Sequence, residues 1–138
     1  MILLDTNVIS EPLRAAPDSH VVEWIDTQPI ETLYLSAITV AELRTGIARM
    51  PAGKNRNRLH ERIETQVLPR FANRVLAFDL AATQPYADLM TKARAAGMVI
   101  GNYDGCIAAI AVANGLVVAT RDTAPFRVAG VAVIDPWG

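Results

Sequence analysis

Short runs of aliphatic and β-branched residues alternate along this chain with longer stretches patterned for helix. That alternation restricts the fold to an α/β domain with a central, mainly parallel sheet. Strands are predicted at Ile2–Leu4, Thr32–Leu35, Val75–Phe78, Leu116–Thr120 and Val131–Ile134. Helical patterns lie between them, near Val21–Thr27, Ala37–Met50, Leu59–Phe71, Ala81–Ala96 and Tyr103–Asn114. Ser36 precedes a helix with Val40, Leu43, Ile47 and Met50 on one face, which makes it a natural N-cap. Leu59, Ile63, Val67 and Phe71 recur every fourth residue and predict another single apolar face. Gly97 and Gly115 stand just past helical patterns, where a left-handed C-cap favours glycine. The segment from Pro51 to Arg56 reads as a loop. With no repeat or linker, residues 1–138 are expected to form one domain, long enough to bury a substantial core.

Composition excludes several classes. At 51% hydrophobic and 20% charged residues the chain is not disordered. No apolar run approaches the roughly 18 residues needed to span a bilayer. The start, Met1 to Asp5, has no basic stretch before its short apolar run, so no secretory signal is expected. One cysteine, Cys106, can form no internal disulfide, which suits a reducing cytoplasm. Thirteen Lys and Arg against fourteen Asp and Glu give a net charge of −1, an average that at first argues against a nucleic-acid partner.

The average conceals a strong segregation. Between residues 44 and 74 stand eight basic residues, Arg44, Arg49, Lys54, Arg56, Arg58, Arg62, Arg70 and Arg74, opposed only by Glu61 and Glu64. A basic segment beside an acidic site suits binding of a phosphate backbone. Arg44, Arg49, Lys54, Arg56 and Arg58 are the candidates for that contact, although a solvated surface explains any one of them alone.

Four acids carry the chemistry. Asp5 follows the first strand directly, and Asp122 comes two residues after the Leu116–Thr120 strand. Ligands of open α/β sheets bind outside the carboxyl ends of the strands, where strand order reverses. Asp also favours turns for local hydrogen-bonding reasons, which explains either residue taken singly. Asp104 lies in the segment Tyr103–Asn114, otherwise apolar up to its last residue, and a carboxylate in so apolar a helix needs a cap, a partner or a metal. Asn102 offers a capping oxygen of its own, and Gly105 suggests a close approach to the backbone. Glu42 falls on a stripe with Thr39, Gly46 and Arg49, bordering the apolar face and looking across a gap left by Gly46. If Asp5, Glu42, Asp104 and Asp122 converge, repulsion and burial raise their pKa values. A divalent cation relieves that penalty, and an oxygen-only donor set points to Mg²⁺ or Mn²⁺ rather than zinc.

These residues resemble the PIN-domain ribonucleases, and within them the VapC-type toxins of toxin–antitoxin pairs, FitB-like subgroup. The likeness rests on Leu3-Leu4-Asp5-Thr6-Asn7-Val8-Ile9, on Ser36-Ala37-Ile38-Thr39-Val40-Ala41-Glu42-Leu43, on Asp104-Gly105-Cys106-Ile107-Ala108-Ala109, and on Val118-Ala119-Thr120-Arg121-Asp122 through Phe126. The four motifs fall in order and span nearly the whole chain. The resemblance implies a three-layer α/β/α fold and metal-dependent endonucleolytic cleavage of RNA. It assigns Asp5, Glu42, Asp104 and Asp122 to the acidic quartet, with Asp5 and Asp104 as the principal metal ligands, and Thr6, Asn7 and Thr120 to water-positioning roles. It further implies a cognate VapB/FitA-like antitoxin, operator DNA bound only through that antitoxin, and a homodimer. One departure stands beside the quartet: Gly101-Asn102-Tyr103 replaces the small residues usual before Asp104.

The expected reaction is in-line attack of a metal-activated water on an RNA phosphodiester, with a 3′-hydroxyl leaving. The alternative is a catalytically inactive PIN-like subunit that joins its antitoxin in a DNA-binding repressor complex. A phosphatase or phospho-receiver fits less well, because Asn7 stands where a phosphatase carries its second Asp and no lysine follows a late strand. His20 and His60 lack companions at ligand spacing, and Cys106 reads as a small core residue. Trp24 reads as packing for a short helix, near the groove that the resemblance gives to the antitoxin.

Overall fold

The computed structural model describes residues 1–138. Five strands form one sheet in the order β3-β2-β1-β4-β5, every neighbouring pair parallel. They are β1 (Ile2–Leu4), β2 (Leu33–Ser36), β3 (Val75–Leu76), β4 (Val117–Ala119) and β5 (Val133–Ile134). Seven α-helices connect them: α1 (Thr6–Ser10), α2 (Ser19–Thr27), α3 (Ala37–Ala48), α4 (Lys54–Arg62), α5 (Leu80–Ala95), α6 (Asn102–Ala113) and α7 (Thr123–Val128). No helix is long and apolar enough to cross a membrane.

Strand alternation sorts the core into two layers. Leu3 and Val118, which are register partners, face Leu89, Ile107, Ile110 and Phe126 of α5, α6 and α7. Leu4 and Ala119, the next pair, face Val8, Val21, Leu43, Ile47, Ile63 and Phe71. Helices thus cover both faces of the sheet, the expected α/β/α arrangement. Because both faces are buried, the inner strands read as unbroken apolar runs rather than as alternating ones.

Several local expectations hold. The Ser36 hydroxyl caps α3 by accepting the Thr39 N–H at 3.0 Å. Gly97 and Gly115 adopt φ of +75° and +67° beyond the ends of α5 and α6, and the Met98 and Leu116 N–H groups bond back to the carbonyls of Ala93 and Ala111.

Others require correction. The helix expected over Leu59–Phe71 begins earlier, at Lys54, so half of the expected loop is helical. Its α geometry ends at Arg62 and continues as a π turn over Ile63–Val67 and a 3₁₀ turn over Leu68–Phe71. Pro69 explains the change, since it has no N–H to donate to the carbonyl of Thr65 and cannot continue an α-helix. The apolar face survives, with Ile63 and Phe71 buried and Leu59 and Val67 packed beside them. Two further helices, α1 and α7, are too short to show a period in the sequence.

Candidate active site at the carboxyl edge of the sheet

β1 pairs with β2 on one side and β4 on the other, so strand order reverses at β1 and opens a crevice beyond its carboxyl end. Asp5 lies there as the N-cap of α1, and Asp122 lies there as the N-cap of α7. Glu42 reaches the crevice from α3, which springs directly from the end of β2, and Asp104 from the first turn of α6.

Asp5 is 3% exposed and held from two sides. Its Oδ1 accepts the Thr6 N–H at 2.8 Å, and its Oδ2 accepts the Thr120 hydroxyl at 2.9 Å. Burial, reinforced by the charge of Asp104, nevertheless raises its pKa from 3.8 to about 6; the two hydrogen bonds oppose the rise and Glu42 adds to it. Asp104 is also raised, first by burial and then by Glu42 and Asp122. The four predicted acids therefore converge into one interacting set. No cation lies within 4 Å of any of them, the ion pairs being Arg14–Glu11, His20–Asp18 and Arg44–Glu64.

The remaining predicted residues form the scaffold. Thr120 is fully buried, and its Oγ1 receives the Asp122 N–H at 3.0 Å while donating to Asp5. Asn7 Nδ2 approaches the same hydroxyl at 3.5 Å, and its Oδ1 takes the Arg121 N–H at 3.4 Å, tying α1 to the β4–α7 connection. Thr6 Oγ1 lies 2.6 Å from Glu42 Oε1 and 3.0 Å from Thr39 Oγ1. Thr39 is a site residue that the sequence did not single out. It is fully buried and accepts from Ser36 Oγ at 3.2 Å, linking the α3 cap to Thr6. A hydroxyl has one hydrogen, and the carboxylate is the stronger acceptor, so Thr6 donates to Glu42 and Thr39 to Thr6. Only its lone polar position at the start of an apolar helix could have signalled Thr39.

Several residues behave differently from expectation. Gly101, not Asn102, is the N-cap of α6, and it offers no side chain. Asn102 Oδ1 instead faces the Tyr86 hydroxyl at 3.4 Å. Asp104 is thus the acidic group in the first turn of α6 and gains from the positive end of the helix. Gly105 admits no ligand; a Cβ there would lie 2.7 Å from Met90 Sδ and 3.1 Å from a Tyr86 ring carbon, so α5 is what approaches. In the basic segment, Arg44 is engaged by Glu64 in two contacts, at 2.8 and 3.2 Å, and Arg58 donates to Asn55 Oδ1 at 2.8 Å.

The donors in the acidic set are all oxygens, the chemistry a hard cation takes. No three His, Cys, Asp or Glu side chains form a ready-made cage. An open, oxygen-only set with a buried, cation-free carboxylate suits Mg²⁺ or Mn²⁺, since Mg²⁺ retains several waters and takes one or two carboxylates.

Comparison with known proteins agrees with this geometry. The PIN domain family profile matches residues 2–131. The VapC ribonuclease Y4jK of Sinorhizobium fredii is 63% identical over 99% of this chain and 98% of its own length. Toxin FitB of Neisseria gonorrhoeae is 54% identical, covering 99% of each. In the structure of FitAB bound to an IR36 DNA fragment, one chain superposes with a TM-score of 0.96 at 52% identity, covering 100% of this chain and 96% of that one. The chain belongs to the PIN domain family, and its relatives include VapC and FitB toxins of toxin–antitoxin systems.

Proposed function

We propose that this protein is the toxin of a toxin–antitoxin pair and a divalent-metal-dependent endoribonuclease. The observation that carries the reading is the cation-free carboxylate set at the switch point of the sheet, with Asp5 buried and its pKa raised to about 6. Four converging acids serve no packing purpose, because their repulsion destabilises the fold.

Asp5 and Asp104 would hold the metal, Glu42 would join them or orient a water, and Asp122 would bear on the outer side. Bound there, Mg²⁺ or Mn²⁺ supplies a more acidic water and offsets the charge on a phosphoryl oxygen. Thr120 fixes Asp5 Oδ2, Thr6 fixes Glu42 Oε1, and Asn7 holds the β4–α7 connection that carries Asp122. Arg44 is the one basic-segment residue held in an ion pair, which leaves Arg49, Lys54, Arg56 and Arg58 as the candidates to meet an RNA backbone. The relatives named as a VapC ribonuclease and a toxin support the activity, and the FitAB complex on DNA supports a partner that carries the chain onto an operator.

The test incubates purified protein with single-stranded RNA in Mg²⁺, in Mn²⁺ and in excess EDTA. Cleavage is expected only with a divalent cation, and Asp5→Asn or Asp104→Asn should lower it by about 100-fold or more. Full activity in EDTA or in Asp5→Asn would overturn the assignment. The FitAB–DNA neighbour also favours a second reading, a PIN-like subunit that acts only within a DNA-binding complex. Protein that joins its antitoxin on operator DNA yet cuts no RNA with either cation would select it.

A further inference from the structure

Arg121 stands inside the scaffold of the acidic site. Its backbone N–H bonds to Asn7 Oδ1, the following N–H, of Asp122, bonds to Thr120 Oγ1, and that same hydroxyl holds Asp5. The side chain is exposed and Asp122 is its neighbour in the chain, so an ion pair with a carboxylate is the natural outcome for it. None forms. No carboxylate oxygen lies within 4 Å of the guanidinium, and the only donor that Arg121 engages is its backbone N–H.

The guanidinium is held instead by the ring of Trp137, whose centroid lies 5.0 Å from the guanidinium carbon. Trp137 is fixed in turn. Its N–H bonds to Asp135 Oδ1 at 2.9 Å, just past β5, and its side chain packs against the core layer that contains Leu4, Val8 and Ala119. Asp135 thus serves Trp137 rather than Arg121. The other arginine that lies on an aromatic ring shows the contrast. Arg74 is 5.9 Å from the centre of the Phe71 ring, but its guanidinium also donates to the carbonyls of Leu33 and Arg70 and so ties the chain together. The guanidinium of Arg121 ties nothing. Stacking covers its face and leaves its edge, where the N–H groups lie, open to an anion.

We propose that Arg121 grips a phosphate of the RNA beside the acid set, and that Trp137 is a positioning residue whose ring stops the guanidinium from closing onto the carboxylates. The proposal rests on the ribonuclease reading above and adds a division of labour to it. A guanidinium among the four acids would take the place of the divalent cation and spend its charge on them. Held on the ring, it leaves the carboxylates to the cation and keeps its planar fork for two oxygens of a phosphate.

Mn²⁺ affinity, measured by calorimetry on metal-free protein without RNA, tests the positioning role. Trp137→Ala should weaken Mn²⁺ binding by about five-fold or more, the lower end of ordinary coupling between sites, because Arg121 is released onto the carboxylates. Trp137→Phe should bind as the parent does, and Arg121→Gln at least as tightly. The double variant, Arg121→Gln with Trp137→Ala, should regain the parent affinity; a loss caused only by damaged packing would persist in it, since it lacks the ring too. Fluorescence anisotropy with a labelled single-stranded oligoribonucleotide tests the phosphate contact, in an Asp5→Asn background so that nothing is cut. Arg121→Gln should lower the slope of log affinity against log salt by about 0.7, which amounts to about five-fold at 0.1 M salt. An unchanged slope in Arg121→Gln overturns the phosphate contact. Parent Mn²⁺ affinity in Trp137→Ala, no recovery in the double variant, or a parent that binds no Mn²⁺ overturns the positioning role. Neither readout depends on cleavage, so a protein that shows both effects and cuts no RNA defeats the enzymatic reading alone.

Discussion

Asp5 is ionised at neutral pH against the preference of its surroundings. Its pKa is about 6 in the folded chain against an ordinary 3.8, so the native protein binds the proton more tightly than the unfolded one. The stability this contributes is complete below about pH 4 and is lost as pH rises through 6. Above that the charged form leaves the fold weaker by about 3 kcal/mol. Asp5→Asn should therefore stabilise the metal-free protein at pH 7.5, with a gain of order 2 kcal/mol that fades towards pH 4. Urea midpoints in EDTA across that range check it, and a gain independent of pH would refute the cause. Thr120 illustrates a different dependence. Its hydroxyl serves Asp5 and the Asp122 N–H together, and valine would keep the shape while abandoning both. Thr120→Val should cost roughly 1–3 kcal/mol in the same assay.

At the level of elements, the site hangs on the start of α3. Ser36 caps the helix, Thr39 stands one turn in, and the hydroxyls of Ser36, Thr39 and Thr6 lead to Glu42. Ser36→Ala should lower stability by about 1 kcal/mol, as cap removal usually does. It should also lower catalytic turnover more than RNA binding, because Glu42 loses its fixed orientation; parallel kcat and anisotropy measurements separate the two. How far the sequence disclosed this architecture varies with the physics of each residue. The acids were legible because a carboxylate in an apolar helix or after a buried strand demands explanation. Ser36 was legible as a cap because its rule is local. Thr39 was not, since a buried threonine looks like any β-branched residue until its partner, 33 positions away, is in place. The Leu59–Phe71 segment misled for a related reason: its four-residue period is real, but Pro69 breaks the hydrogen-bond ladder without disturbing the apolar face. The role of Gly105 depended on α5 and could not be read from α6 alone.

Across the whole molecule, charge is arranged by segment rather than by balance, and not every cation in the basic stretch is free. Arg44 is bound to Glu64, and the hydrogen bond between them also draws down the carboxylate's pKa. Lys54 and Arg56 have no such partner. Plots of log affinity against log salt for single-stranded RNA should lose about 0.7 in slope for each phosphate contact removed. Lys54→Gln and Arg56→Gln are expected to show that loss, and Arg44→Gln is not; equal slopes for all three would place the RNA elsewhere. The strand order has a consequence of another kind. Residues 2–4 lie between residues 33–36 and 117–119, so the first strand made waits for nearly the last before its second edge is paired. Such long-range pairing folds late. Asp5 and Asp122 meet only when β4 arrives, which means that a chain still under synthesis lacks the completed acid set. On the ribonuclease reading proposed above, the cutting site would be incomplete until synthesis is almost finished.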